Sequence, residues 1–222
     1  MALLQTTDPL TIFFLVLVFL IILAFVISLH EAAHAYFANL LGDPTARLLG
    51  RVTLNPTAHI DPIGTILVPL LLITLPLLAH SRPGFIFGWA KPTPVNPLNF
   101  ANPRRDSALV ASAGPASNFS MAIAASILFR LLPVSIIQDV LLLFIWLNLL
   151  LGVFNLLPIP PLDGFKVLIG VLPKEAALRL SILESYGPVV LILFLFVFFR
   201  FLSPVLISLI NTLLNLLVGA TF

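Results

Sequence analysis

The sequence predicts an all-α polytopic membrane protein with about five or six transmembrane helices. Three observations support this fold class: 60% of the 222 residues are hydrophobic, the mean hydropathy is +1.15, and only 9% of the residues are charged. A soluble domain carries about 25% charged residues. The formal net charge is only +2 and no basic cluster exceeds Arg104-Arg105, which argues against nucleic-acid binding.

Apolar runs of about 20 residues, the length that crosses about 30 Å of hydrocarbon, mark the candidate helices. In chain order, these runs are Pro9 to about Leu41, Ile63–Leu78, Ser107–Leu132, Gln138–Leu157 and Gly187–Val218. The last run is too long for one crossing, so Arg200 and Pro204 are expected to divide it. Residues 1–222 are expected to form one membrane domain, with a core over about 10–172 and a C-terminal helical hairpin or kinked helix over about 185–220.

Two stretches lack a helical pattern and are expected to be re-entrant or extended. The stretch from Ala79 to Asp106 is rich in proline, which predicts extended chain. The segment Gly50–Pro56 alternates weakly and could form a strand or hairpin. Lipid cannot satisfy the backbone groups of either stretch. Both are therefore expected to be covered by protein or to line a wet cavity.

The first apolar run ends in an HExxH motif, His30-Glu31-Ala32-Ala33-His34. Residues at i and i+4 share a helix face, so both imidazoles can reach one Zn²⁺, and Glu31 can take a proton from a water molecule at the metal. Each charged group in a transmembrane helix costs about 2.5–3.5 kcal/mol on insertion scales, and a divalent metal would offset that cost. The alternative is that Glu31 pairs with an Arg while both histidines bond to backbone carbonyls.

A catalytic zinc site usually has three protein ligands and one open position. The chain has no cysteine, so the candidates for the third ligand are His59, His80, Asp61, Asp106, Asp139 and Asp163. Asp163 stands out because it lies in the proline-broken sequence NLLPIPPLDGF, where a turn can project its carboxylate into the protein interior. The alternative for Asp163 is to cap a helix over Phe165–Leu172.

His59 and Asp61 form a second polar pair, placed just before the second apolar run. They could make another metal site or hold a ligating imidazole in place. A cap and turn at Asp61-Pro62 is slightly favoured over both. His80 is expected to be a loop residue.

HEAAH in a transmembrane helix, followed about 130 residues later by N-x-x-P-x-x-P-L-D-G, resembles the site-2 protease family of intramembrane zinc metalloproteases. The resemblance is closest to compact members without an extramembrane domain. It covers roughly residues 28–170 and includes the stretches HIDPIGT, FGWAKPTPVN and AGPASN. It implies that His30, His34 and Asp163 bind one zinc ion per chain and that Glu31 is the catalytic acid/base. Phe165 departs from the pattern, because many relatives have a second glycine there.

The resemblance also implies hydrolysis of a peptide bond within transmembrane segments of membrane-protein substrates, in a prokaryotic cell membrane. Asn155 and Pro158 would line the substrate-binding side of the LDG motif. Asn118 or Asn155 could donate a hydrogen bond to the oxyanion or the substrate backbone, with interhelical hydrogen bonding as the alternative for Asn118. A substrate helix must unwind to expose a carbonyl, and Gly50–Pro56 could accept it by adding a strand.

The depth of the site constrains the number of membrane crossings. Arg47 and Arg51 follow the first run, so the positive-inside rule places the HExxH end near the cytoplasmic side. If every later run crossed once, Asp163 would emerge on the far side. We therefore expect that Ile63–Leu78 crosses or dips and that Phe85–Asn99 returns through the protein as extended chain. The cytoplasmic side would then hold Arg104, Arg105, Lys166, Lys174 and Arg179.

Two other functions compete with proteolysis. A metal-ion transporter would distribute ionisable residues along several spans, whereas here they concentrate at one depth. A non-catalytic relative that binds transmembrane helices would be expected to have lost Glu31 or a ligand, and this chain keeps them.

Overall fold

The computed structural model describes residues 8–79, 81, 86, 88–132, 135–197 and 201–219. The α-helices are α1 (Pro9–Leu40), α2 (Thr45–Leu48), α3 (Val68–Leu78), α4 (Pro103–Leu131), α5 (Ser135–Asn155), α6 (Asp163–Val171), α7 (Lys174–Ser181), α8 (Gly187–Val197) and α9 (Ser203–Val218). Within the described residues there is no strand, and α1, α4 and α5 are long and apolar enough to cross a membrane. Pro62–Leu78 and Ser203–Val218 are shorter apolar helices. The predicted all-α polytopic membrane fold is confirmed.

Helix α1 has clear start and stop signals. The Asp8 carboxylate accepts a hydrogen bond from the backbone N–H of Thr11 at 2.8 Å, and Pro9 occupies the first turn, where its missing N–H costs nothing. The helix then runs for 32 residues. It ends before Gly42, whose φ of 108° is readily adopted only by glycine. The HExxH motif therefore lies in the last three turns of one continuous helix.

Helix α4 is the central element and contacts α1, α5, α6 and α9. Its buried face is made mostly of small residues: Ala108, Ala111, Ala113, Gly114, Ala122 and Ala125. Small side chains let neighbouring helix backbones approach closely in a membrane. Ala122 and Ala125 pack with Ile145 and Leu149 of α5 and with apolar residues of α9. The metal-site candidates lie nearer the other end of α4.

The chain between α1 and α4 makes a re-entrant element. Asp61 caps the helical stretch Pro62–Leu78 by accepting hydrogen bonds from the N–H groups of Ile63 and Gly64, at 3.0 and 2.7 Å. After α3 the chain comes back to the same place, because the N–H of Trp89 donates to the Gly64 carbonyl at 3.2 Å. This agrees with the predicted dip and extended return. Phe85 and Phe87 lie outside the described residues.

The return places the start of α4 beside the end of α1, where Ala38, Phe100 and Val110 form a buried cluster. The start of α4 therefore lies at the same end of the helix bundle as the end of α1. We call residues 88–96, the irregular segment before the short 3₁₀ helix Pro97–Asn99, the strap.

The expectation of a strand at Gly50–Pro56 is wrong. Gly50 has a φ of 68°, and Pro56 already begins a 3₁₀ helix, Pro56–Ala58. The Asn55 side chain accepts from the N–H of Thr57 at 3.1 Å. Local capping by such side chains competes with strand pairing. The described residues offer this segment no partner strand.

In the C-terminal region α8 covers Gly187–Val197, and α9 begins at Ser203 with Pro204 in its first turn. Residues 198–200 lie outside the described residues, so the division at Arg200 and Pro204 stays a prediction. Arg130 of α4 holds the far end of α9, because its Nε donates to the Leu217 carbonyl at 2.9 Å. Arg200 and His80, both named by the sequence analysis, lie outside the described residues. The single-domain organisation stays a prediction.

Candidate metal centre

Three ligand-type atoms converge where α1, α4 and α6 meet. The Nε2 atoms of His30 and His34 lie 3.1 and 3.2 Å from Oδ2 of Asp163, and 3.0 Å from each other. Both histidines are buried, and Asp163 is mostly buried. Among the described residues, this is the one group of three or more His, Asp or Glu side chains arranged to hold a metal ion.

The second nitrogen of each imidazole has an acceptor on α4. Nδ1 of His34 lies 2.8 Å from the main-chain carbonyl of Val110, and Nδ1 of His30 lies 2.6 Å from Oδ1 of Asn118. A carbonyl oxygen only accepts, so each Nδ1 donates its N–H. Each Nε2 then carries a lone pair that points towards Asp163. This is the tautomer that a metal-binding histidine needs.

The donor set fits a zinc ion. Oδ2 of Asp163 is buried and has no hydrogen-bond partner, which is costly for a carboxylate oxygen. Two imidazole lone pairs face it at about the same distance, so three acceptors meet with no proton between them. Ligand atoms placed tetrahedrally about 2.1 Å from zinc would lie about 3.4 Å apart. The separations of 3.0–3.2 Å are close to that value.

Gly114 of α4 provides the space for the two imidazoles. A Cβ at this position would lie 2.4 Å from Nε2 of His34 and 2.6 Å from Cε1 of His30. No side chain can occupy that position without displacing the rings. Nothing in the sequence AGPASN marks a role for this glycine, because its contact with α1 is a tertiary one.

Asp163 is positioned by the turn that precedes it. It is the first residue of α6, whose N-cap is Leu162, and no side chain caps the helix. The alternative that Asp163 caps this helix is therefore wrong. Gly164 lets the turn pack tightly, since a Cβ there would lie 2.1 Å from the Leu156 carbonyl oxygen. The end of α5 and the start of α6 thus bring the carboxylate to the histidines.

Glu31 is held by the strap. The backbone N–H of Thr93 donates to Oε2 of Glu31 at 2.9 Å, and the Thr93 hydroxyl donates to the Glu31 main-chain carbonyl at 3.0 Å. Among the described residues Glu31 has no ion pair with an Arg. Thr93 lies in the stretch FGWAKPTPVN, but its local sequence gives no sign of the contact with Glu31.

The strap is anchored at its other end by Asp43. Its carboxylate accepts from the N–H of Asn96 and from Nδ2 of Asn99, both at 2.7 Å. Burial acts to raise the pKa of Asp43, but hydrogen bonds from Thr45, Asn96 and Asn99 hold the pKa below its ordinary value. The strap is therefore tied both to Glu31 and to the end of α1.

The three predicted substrate-binding residues have different surroundings. Asn118 is fully buried and bonds to His30 and, through Nδ2, to Oδ1 of Asn148 at 3.0 Å. This is the interhelical bonding named as its alternative. Asn155 lines the cavity at the site and donates to the Leu151 carbonyl at 3.0 Å. Pro158 is exposed and does not line that cavity. Substrate binding by all three stays a prediction.

The other candidate ligands within the described residues do not join the site. His59 is fully buried and its Nε2 donates to the Thr53 carbonyl at 2.9 Å, while Asp61 caps a helix as the favoured alternative proposed. Asp106 accepts from the N–H of Asn102 at 2.8 Å at the start of α4, and Asp139 is exposed. In the described part of the chain His59 and Asp61 belong to no group of three or more metal-ligand side chains.

A cavity of about 720 Å³ opens beside the three ligand atoms. His30, His34 and Asp163 are among its lining residues, and the strap forms part of the wall through Pro92, Thr93 and Val95. Lining residues from α4, α6 and α7 include Arg104, Lys166 and Lys174, all exposed. The cavity connects the metal centre with these exposed charged residues.

Comparison with known proteins assigns the family. The model of peptidase family M50 matches residues 130–199. The chain is 40% identical over 178 residues to "Putative zinc metalloprotease YwhC" of Bacillus subtilis (strain 168), covering 75% of each chain. It is 31% identical over 186 residues to "Putative zinc metalloprotease Rip2" of Mycobacterium tuberculosis (strain H37Rv), covering 81% of this chain and 64% of the relative. No solved structure matches the chain.

The M50 match, the curated relatives and the apolar helices agree with the resemblance that the motifs carry. A His-His-Asp cluster that fits zinc lies inside the helix bundle. The chain therefore belongs to peptidase family M50, the site-2 protease family, and is a membrane-embedded zinc metalloprotease of bacterial type.

Proposed function

We propose that this metalloprotease hydrolyses a peptide bond within transmembrane segments of membrane-protein substrates. In this proposal His30, His34 and Asp163 hold one Zn²⁺ per chain, and Glu31 is the general base. The observation that carries it is the position of the three converging ligand atoms. They lie between α1 and α4, two helices long and apolar enough to cross a membrane, and the start of α6. A soluble substrate would have no need of a site placed there.

The reaction needs a base beside the metal. A bound Zn²⁺ supplies a Lewis acid that makes water nucleophilic near neutral pH and polarises a carbonyl oxygen. Glu31 follows His30 directly on α1, and the Thr93 N–H engages its Oε2. We assign Oε1 to the proton transfer: it takes a proton from the attacking water, and the same carboxyl group delivers the proton to the leaving amine.

The cavity favours an unwound substrate. An α-helix hides its carbonyls in its own hydrogen bonds and is about 10–12 Å across with its side chains. Such a helix would fill 720 Å³ within about two turns. A short extended stretch fits the same volume better. The substrate segment would thus unwind locally, with its carbonyl directed to the metal centre.

The charges around the cavity support an active site near the cytoplasmic side of the cell membrane. Arg104, Lys166 and Lys174 line the cavity, and Arg47 and Arg51 follow α1. Lys and Arg are enriched in cytoplasmic segments of membrane proteins. Water and the unwound substrate would enter from that side.

The two alternative functions fit less well. A metal-ion transporter would place ionisable groups along a path through several spans, whereas the described residues contain one metal-type cluster. A non-catalytic relative that only binds transmembrane helices would not need Glu31, yet Glu31 is present and held by the strap. Membership of a peptidase family also argues against both.

The test is cleavage of a model transmembrane substrate by the purified protein in lipid nanodiscs. Glu31→Gln is expected to lower the cleavage rate about 10²–10⁴-fold without loss of zinc, and a chelator is expected to abolish cleavage until zinc is restored. Glu175→Gln, at an exposed position of α7 outside the cavity, is the matched control. Cleavage that survives Glu31→Gln would contradict the mechanism. Zinc binding without cleavage of any transmembrane substrate would contradict the proposed reaction.

A further inference from the structure

A chain of hydrogen bonds runs from His30 through two buried amides to α5. Nδ1 of His30 donates to Oδ1 of Asn118 at 2.6 Å, Nδ2 of Asn118 donates to Oδ1 of Asn148 at 3.0 Å, and Nδ2 of Asn148 donates to the Phe144 carbonyl at 2.8 Å. Asn118 and Asn148 have no exposed surface, and His30 is 5% exposed. The chain links α1, α4 and α5.

The direction of this chain is fixed at its far end. A carboxamide presents an acceptor at one end and donors at the other, so reversing one amide reverses what it offers to its neighbour. The Phe144 carbonyl can only accept, which requires Asn148 to turn its NH₂ group towards Phe144 and its oxygen towards Asn118. Asn118 must then present its oxygen to His30.

That direction decides which nitrogen of His30 can bind a metal. With Oδ1 of Asn118 at 2.6 Å, Nδ1 carries the proton and Nε2 keeps its lone pair towards Asp163. If Asn118 were reversed, its NH₂ group would face Nδ1, the proton would move to Nε2, and the ligand would be lost. A wrongly paired polar group inside an apolar bundle has no water to compensate it.

We propose that Asn148 is a positioning residue for the metal centre, acting through Asn118 to hold the metal-binding tautomer of His30. The proposal rests on the proposed role of His30 as a zinc ligand. His34 needs no such relay, because its Nδ1 donates directly to the Val110 carbonyl, which cannot reverse. The two histidines of one motif are therefore oriented by different means.

The experiment measures zinc affinity of the full-length protein by competition with a chelator, so that it does not depend on substrate cleavage. Asn148→Leu is expected to weaken zinc binding by about tenfold or more, and Asn118→Leu by about 10–100-fold. If Asn148 acts through Asn118, adding Asn148→Leu to Asn118→Leu should cause no further loss. Imidazole nitrogen NMR of the zinc-free protein should show His30 moving towards the other tautomer in both single variants.

A conservative variant separates positioning from packing. In Asn148→Thr the hydroxyl can donate to the carbonyl four residues earlier, as Thr74 does to the Leu70 carbonyl at 2.8 Å, while its oxygen can accept from Asn118. Asn148→Thr should therefore retain more zinc affinity than Asn148→Leu. Asn215→Leu is the matched control, an asparagine of α9 outside the cavity, and should bind zinc like the wild type.

Two results would overturn the proposal. One is wild-type zinc affinity and an unchanged His30 tautomer in Asn148→Leu. The other is a double variant whose loss is the sum of the two single losses. His30→Ala distinguishes this failure from that of the proposed function: if it leaves zinc affinity unchanged, the ligand assignment fails, whereas if it abolishes binding while Asn148→Leu does not weaken it, only the relay fails.

Discussion

Along α4, Val110, Gly114 and Asn118 contact the imidazoles of His34 and His30, whereas Ala122 and Ala125 pack against apolar side chains of α5 and α9. Small residues are used at both ends. Gly114 leaves room for two imidazoles, and Ala122, fully buried, lets helices pack closely. Small residues therefore leave room for the metal ligands in one part of α4 and allow close helix packing in the other. Substitutions in the first part should change zinc binding, and substitutions in the second should change stability.

Among the substitutions in this comparison, Gly114→Ala is expected to cause the largest loss of cleavage rate. The new Cβ would lie 2.4 Å from Nε2 of His34 and displace the ring. A displacement of about 1 Å can cost about 10²-fold in rate, so we expect cleavage to fall by about that factor. Zinc affinity should fall as well. Both are measured on the same preparation, by chelator competition and by cleavage of the model substrate.

Ala122→Leu is the counterpart at the apolar end of α4. Overpacking there is expected to lower the free energy of unfolding by about 1–3 kcal/mol and to leave zinc affinity unchanged. Thermal unfolding of both variants separates the two outcomes. If Ala122→Leu weakened zinc binding as much as Gly114→Ala, the two ends of α4 would not be independent.

Thr93→Pro tests the hydrogen bond between the strap and Glu31. It removes the backbone N–H that donates to Glu31 Oε2 but leaves the metal ligands intact. A hydrogen bond to a charged group contributes about 1.5–3 kcal/mol, so kcat should fall at least about tenfold with unchanged zinc affinity. Thr93→Val removes only the hydroxyl and should have a smaller effect. Equal losses in the two variants would contradict the role assigned to the N–H group.

Asp43→Asn should have the smallest effect, a modest loss of stability. Because Asp43 anchors the strap, the pH dependence of stability tests that anchor. Because the pKa of Asp43 is lowered on folding, the folded state binds fewer protons than the unfolded state near the ordinary value of 3.8. Its stabilising contribution is complete above that pH and is lost as the pH falls through the lowered folded-state pKa.

Asp43→Asn is expected to cost about 1 kcal/mol of stability at neutral pH. It should also weaken the acid dependence of the melting temperature, measured between neutral and strongly acidic pH. If the melting temperatures of the variant and the wild type fell in parallel as the pH was lowered, this assignment would be contradicted.

Two kinds of information in the sequence predict part of the site: the local spacing of residues, and the requirement that distant ligands reach the same depth. His30 and His34 share a helix face by their spacing alone, and the proline-broken turn singled out Asp163. The requirement that Asp163 reach the depth of the histidines predicted the re-entrant element, which hydropathy alone does not reveal.

The remaining contacts depend on tertiary proximity. Gly114, Thr93 and Asn148 act on residues more than 60 positions away or through another side chain, and nothing in their local sequence marks that contact. The expectation of a strand at Gly50–Pro56 is wrong for a local reason and not a tertiary one. A weak alternation is outweighed by local capping at Asn55, and the part of the chain that the structure describes has no strand to pair with it.

The contacts of α4 with the two histidines also define how α1 and α4 align. Val110, Gly114 and Asn118 lie at successive four-residue steps on α4 and present a carbonyl, an empty space and an amide to His34 and His30. No two of these three groups are interchangeable. A slide of one helical turn, about 5.4 Å, would set His30 against Gly114 or Ala122, neither of which offers its Nδ1 a side-chain acceptor. The metal centre thus fixes the axial register of the helix pair that contains it.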